Sequence, residues 1–264
     1  MNRLFDTHAH LDQLDDLDVA LEDARSAGVV GIIGVGTDIL SNEKTLRIAV
    51  EHSGFVYPAI GVHPCHLAGR DEVAIDSELR FVADHMDYAS AVGEIGLDYD
   101  KRTLAAVSRE TQQRVFAEML SLAACAHKPV LVHSRYAWTD ALRLVCESGV
   151  SCAVFHWFTG FTGVLRGIMD AGFYVSATPA AEYHEEHRRA VRSVPLAQLL
   201  LETDTPVRYG REERFESRPA DVVRSLKAVA VLRGESEDEL AISTTRAAER
   251  LLGGTVSPSS EEVS

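Results

Sequence analysis

Short apolar runs alternate with longer amphipathic segments almost from end to end of the chain. The runs fall at Leu4–His8, Val29–Gly34, Val56–Gly61, Ala91–Glu94, Pro129–His133, Cys152–His156, Tyr174–Ser176 and Leu199–Glu202, and their length and β-branched content predict strands. Between them the spacing predicts helices. Over 108–126 it puts Val115, Met119 and Leu122 on one face with Phe116, Leu120 and Ala123 beside them, and over 220–233 Val222, Leu226 and Val229 repeat the pattern. The last helix opens with Ser236 and Glu239 at capping-box spacing and is expected to run towards Leu252. No repeat, linker or break in composition interrupts residues 1–252, which read as one domain. The polar, acidic residues 253–264 read as a disordered tail.

Eight strand–helix alternations in about 250 residues predict an α/β fold, a single (β/α)8 barrel, with a doubly wound open sheet as the alternative. The polar residues separate the two. His8, His63, Glu94, His133, His156 and Asp204 stand at or just past the ends of six of the runs. A closed barrel gathers all its strand ends around one axis, whereas an open sheet spreads them too widely to share a site. The barrel is the expected architecture.

Charge narrows the function. The 264 residues carry 26 Lys and Arg against 40 Asp and Glu, a formal net charge of −14. Such a field repels polyanions at long range and argues against a general nucleic-acid coat protein, but not against an enzyme whose cleft reverses the sign locally. Cys65, Cys125, Cys146 and Cys152 form no C-x-x-C pair. With no long apolar run and no leader-like start, the expectation is a cytoplasmic protein without a membrane segment. Gly31, Gly34 and Gly36 lack dinucleotide or Walker spacing, so no nucleotide cofactor is assigned.

Alternate residues of a strand share a side, so His8 and His10 can face one cation. Glu94 ends an apolar run, where a carboxylate is costly unless paired, protonated or bound to a cation. Taken singly, His133 and His156 read as hydrogen-bonded core histidines, and Asp204 as a helix cap. Together the six groups His8, His10, Glu94, His133, His156 and Asp204 supply N/O ligands enough for two divalent ions, Zn, Mn or Mg, with Glu94 as the natural bridge. Paired ions suit phosphoryl-ester hydrolysis.

Six stretches carry a resemblance: FDTHAHLD, GVHP at 61–64, AVGEIGLDYD at 91–100, KPVLVHSR at 128–135, FHWFTG at 155–160 and LLLETDTP at 199–206. In this order the chain resembles the TatD family of metal-dependent deoxyribonucleases, among the amidohydrolase-like barrels. The resemblance implies a first ion on His8, His10, Glu94 and Asp204 and a second on Glu94, His133 and His156. It also implies Asp204 as an activator of the attacking water and His63 as a contact near the substrate. Three places depart from the family pattern: Trp157 within His156-Trp157-Phe158, Cys65 after His63-Pro64, and Val207-Arg208 after Pro206.

The expected activity is metal-dependent cleavage of DNA phosphodiester bonds, exonucleolytic or on short strands, with Asp204 and Glu94 catalytic. His63, Arg135 and Trp157 are the candidate substrate contacts, Trp157 and Phe158 as stacking surfaces. The arginines between 208 and 218 share their loop with Glu212, Glu213 and Glu216, and for each a solvated, charge-mixed loop is the simpler reading. Two rival functions remain: a barrel hydrolase acting on a small amide, lactone or phosphoester, and a non-catalytic metal-binding protein.

Overall fold

All eight expected runs are strands of one parallel sheet in the computed structural model, which describes residues 2–253. They are β1 (Leu4–Ala9), β2 (Val29–Val35), β3 (Val56–Ile60), β4 (Ala91–Asp98), β5 (Val130–Arg135), β6 (Ala153–Phe155), β7 (Tyr174–Ala177) and β8 (Leu199–Leu201), neighbours in chain order. The helices between them are α1 (Leu17–Ser26), α2 (Ile39–Glu51), α3 (Glu72–Asp84), α4 (Lys101–Ala106), α5 (Arg109–Cys125), α6 (Trp138–Glu147), α7 (Thr162–Asp170) and α8 (Glu185–Ser193). After β8 come a small hairpin of β9 (Arg208–Tyr209) and β10 (Phe215–Glu216), then α9 (Val222–Arg233) and α10 (Glu237–Leu251).

Because β8 is only three residues long, the ring closes beyond its end. Asp204 N donates to His8 O and His10 N donates to Thr205 O, each at 2.9 Å. Closure therefore brings Asp204 against the two histidines that end β1, although nearly two hundred residues separate them in the chain.

Two apolar layers hold the barrel. Inside, Phe5, Ile33, Ala59, Leu131, Val154 and Leu200 pack across the axis, and α10 adds Ala247, Ala248 and Leu251 to the same cluster. That helix lies beneath the strand starts, where Thr245 Oγ1 donates to Arg3 O at 2.8 Å. Outside, the sheet and the helix ring share a larger core to which α5 contributes Val115, Phe116, Met119 and Leu120, the face its spacing predicts. Both faces of the strands are thus covered, which is why β1 and β4 are buried along their whole length.

Two local expectations are corrected. β4 does not end at Glu94 but continues to Asp98, so the carboxylate sits inside a strand. Its pairing with β5 is irregular between Val92 and Ile95, and Glu94 N turns to donate to Gly36 O at 2.9 Å. Gly96 makes the continuation possible: its φ is +145°, and a Cβ there would collide with the His133 carbonyl. The second correction concerns α10. Ser236 makes no side-chain cap; instead Glu237, Asp238 and Glu239 place negative charge in the first turn, where the helix dipole favours it. Of the tail expected over 253–264, residues 254–264 lie outside the described residues.

Candidate metal centre

Four ligand-type atoms converge where β1 and β8 end. His8 Nε2 lies 3.4 Å from His10 Nε2, 3.5 Å from Glu94 Oε2 and 3.7 Å from Asp204 Oδ1. His10 Nε2 lies 3.4 Å from Glu94 Oε2 and 3.5 Å from Asp204 Oδ1. A tetrahedron of N/O ligands with bonds of about 2.0–2.2 Å has edges of about 3.3–3.6 Å, so this set matches the span of one cation shell. The tautomer agrees. His10 Nδ1 is 3.0 Å from Val35 O, an acceptor only, so a ring proton sits on Nδ1 and Nε2 is the atom that faces the site.

The other carboxylate oxygen of Glu94 faces a second group. Oε1 is 2.7 Å from His133 Nδ1, 2.9 Å from His156 Nε2 and 3.5 Å from His63 Nε2, while His133 and His156 approach each other at 3.5 Å. One side chain therefore offers an oxygen to each of two ligand sets.

The electrostatics are those of a buried charge cluster. Burial alone would push His10 down, but the adjacent Asp204 and Glu94 carboxylates overturn it and lift its pKa to about 10. Burial would raise Glu94, yet the charges of His63 and His156 and the contacts from His10 and His133 hold it well below the ordinary range. His8 moves the other way, lowered by burial and by the positive charge of His156. Five imidazoles and two carboxylates share this space, a costly arrangement for protons alone to balance. A divalent cation fits the donor set better, since it lets every inward ring nitrogen act as an acceptor. Of the outward atoms, His8 Nδ1, His133 Nε2, His156 Nδ1 and Glu202 Oε2 are buried without a hydrogen-bond partner.

Those outward atoms point to two residues that sequence reasoning missed. Glu202 is fully buried, and its Oε1 lies 3.6 Å from His156 Nδ1 while accepting Trp157 N at 3.0 Å. With His8 and His156 it forms a compact group of possible ligand atoms within 4.8 Å of one another. Asp98, four residues beyond Glu94 on the same strand, sets its Oδ2 3.4 Å from His133 Nε2. Gln112 of α5 fixes that strand end, accepting Asp98 N at 2.8 Å and donating to Asp98 O at 3.0 Å. The burial argument applied to Glu94 applies equally to Glu202, and would have found it.

The candidate substrate contacts differ in position. His63 belongs to the centre itself, grouping with Glu94 and His133. Arg135 is 57% exposed; its guanidinium lies 3.8 Å from Asp100 and 5.9 Å from the centre of the Tyr136 ring. The Trp157 ring packs 5.3 Å from that of Tyr209, with φ at +39° and the backbone tied to Glu202. The Phe158 ring is buried beneath these loops. In the β8 loop, Arg208 pairs with Glu216 at 3.2 Å and Arg211 donates to Tyr183 O at 2.8 Å. The Cys65 Sγ lies 3.5 Å from Asp98 Oδ2. Asp204 caps no helix; it sits in the closing turn with φ at +50°.

Comparison with known proteins gives a consistent picture. A family model described as "TatD related DNase" matches residues 5–253. The human protein "Deoxyribonuclease TATDN3" is 31% identical over 258 residues, covering 94% of each chain. The "3'-5' ssDNA/RNA exonuclease TatD" of Erwinia amylovora is 31% identical over 248 residues, covering 90% of this chain and 94% of its own. Among solved structures, the TatD homolog YJJV from Escherichia coli superposes with a TM-score of 0.84 at 28% identity, over 94% of this chain and 97% of that one.

Proposed function

The chain belongs to the TatD-related DNase family, and from that premise we propose that it is a metal-dependent exonuclease removing nucleotides from single-stranded DNA. The observation that carries the reading is the division of Glu94, Oε2 towards His8 and His10 and Oε1 towards His133 and His156. That division suits two divalent ions, Zn, Mn or Mg, one held by His8, His10, Glu94 and Asp204 and the other by Glu94, His133 and His156. Such ions would supply Lewis acidity and lower the pKa of water.

The remaining work falls to the chain's own residues. Asp204 accepts the proton of the attacking water and holds that water in line with the phosphorus. Glu94 keeps the two ligand sets in one rigid unit. His63 donates to a phosphoryl oxygen on the Glu94 side. Arg135, exposed at the rim, offers its guanidinium to a neighbouring phosphate, and Trp157 walls the pocket. Residues 1–252 make up the barrel hydrolase domain in this reading. No helix among the described residues is long and apolar enough to cross a membrane, and the reading places the enzyme in the cytoplasm.

End-labelled single-stranded oligonucleotides incubated with the Mn-, Zn- or Mg-loaded protein test this directly. Stepwise shortening from the 3′ end, the polarity in the name of the Erwinia relative, is expected. Intact oligonucleotides beside rapid hydrolysis of lactones or neutral esters would instead support a small-molecule hydrolase.

A further inference from the structure

Of the strongly exposed large apolar side chains among the described residues, the aromatic ones are Tyr88, Tyr136 and Phe161. Two of these share the face that carries the metal centre. Tyr136 follows His133 by three residues in the loop from β5 to α6, and Phe161 follows His156 by five in the loop from β6 to α7. Their rings are 60% and 67% exposed at the residue level, yet neither hangs free.

Trp138 lies between them. Its ring meets Tyr136 edge-on at 5.8 Å and 69°, and Phe161 at 5.3 Å and 81°. The second loop is pressed onto that indole: Arg189 Nη2 donates to Gly160 O at 2.8 Å, and a Cβ on Gly160 would come within 2.6 Å of Trp138 Cγ. Tyr136 itself is held at φ +55°, uncommon for an aromatic residue. Edge-to-face packing fixes two rings while leaving apolar ring surface turned to water, which is unfavourable unless something covers it.

The neighbourhood identifies the occupant. Arg135, 57% exposed and 3.8 Å from Asp100, sits in sequence between His133 and Tyr136, with its guanidinium 5.9 Å from the centre of the Tyr136 ring. A ligand that touches this strip and the centre together carries an anion for the guanidinium and a flat apolar face for the rings, which describes a nucleotide. The three residues from His133 to Tyr136, the last of them past the end of β5, span at most about 10 Å, which is no more than about three nucleotides at the ~3.4 Å rise of a stacked strand. We infer that Tyr136 and Phe161, braced by Trp138, form a stacking site for a nucleobase within about three nucleotides of the scissile phosphate. This rests on the nuclease reading above and adds a determinant of strand register to it. Because every base has a π-face, the site selects unpaired strands rather than a sequence.

The test compares a single-stranded oligonucleotide with the same strand made abasic at its four terminal positions on the cleaved end. With Tyr136→Ala/Phe161→Ala, KM for the intact strand is expected to rise roughly tenfold or more, with kcat little changed. On the abasic strand wild type and variant should share one KM. Tyr136→Phe and Phe161→Tyr, which keep the rings, should behave as wild type. Binding of both strands to chelator-treated protein, read by fluorescence anisotropy, should repeat the pattern without turnover. No rise in KM, or an equal rise on both strands, would overturn the stacking site and leave the nuclease assignment standing. A wild-type protein that neither binds nor degrades the intact strand would overturn both.

Discussion

Asp98 faces the outer nitrogen of His133: its Oδ2 lies 3.4 Å from Nε2, while Glu94 Oε1 stands 2.7 Å from Nδ1 on the opposite side of the ring. The ring is thereby held between two carboxylates of one strand, with its Nδ1 directed inward. Burial would raise Asp98, but the bond and charge from His133 bring its pKa down to about 2. Outer partners of this kind fix the tautomer and raise the basicity of a ligating histidine.

Asp98→Asn should therefore weaken ion retention by roughly 10–100-fold without unfolding the barrel. Competition against a chelator of known affinity measures the loss. Unchanged retention would show that Asp98 serves only to terminate β4.

Asp204→Asn separates base from scaffold. Asn tolerates the left-handed backbone at φ +50° and keeps one oxygen ligand, so the variant should fold. It should also keep the ion assigned to Glu94, His133 and His156. Turnover should fall by roughly 10²-fold or more. Near-wild-type hydrolysis by the folded, metal-loaded variant would remove Asp204 from the role of base.

The barrel itself was legible in the sequence because each strand is a short apolar run between helices of clear periodicity. The placing of His8, His156 and Asp204 was legible too, since each ends or follows such a run, whereas His133, expected at a strand end, lies two residues inside β5. Glu94 shows where this reasoning stops. A carboxylate was expected to end β4, yet the strand runs on to Asp98, because His10, His63, His133 and His156, at or near the ends of other strands, compensate the charge from up to 84 residues away, between His10 and Glu94. No local window contains that compensation. Glu202, by contrast, ends an apolar run as Glu94 does, and only its partners His156 and Trp157, past the end of another strand, lay out of local reach. The Ser236 cap failed differently: the spacing was present, but three acidic residues already satisfy the helix start.

Gly96 should not tolerate a side chain. At φ +145° and against the His133 carbonyl, Gly96→Ala strains the backbone and separates β4 from β5 at the centre. A loss of about 2–4 kcal/mol in denaturant unfolding is expected, with reduced ion retention. A variant of wild-type stability would mean that the strand can shift at no cost.

His187 predicts a pH dependence away from the centre. It is fully buried, with Nδ1 donating to Phe158 O at 3.1 Å and Nε2 accepting Thr178 N at 3.1 Å. Burial lowers its pKa to about 4, whereas an unfolded histidine titrates near ~6.5. Between those values the unfolded chain binds the extra proton, so stability rises with pH through that window and is fully present above it. The contribution lost on acidification from pH 7 to 4 is about 3 kcal/mol at most. Urea unfolding of wild type and His187→Gln across pH 4–7 should give a shallower slope for the variant; equal slopes would contradict the assignment.

The most direct measurement is the rate of single-strand cleavage as Mn²⁺ is returned to chelator-stripped protein. The account predicts no cleavage by the stripped protein, a rise with added metal, and saturation at two equivalents per chain. Cleavage that persists in excess chelator, or that saturates at one equivalent, would contradict a centre divided across the two oxygens of Glu94.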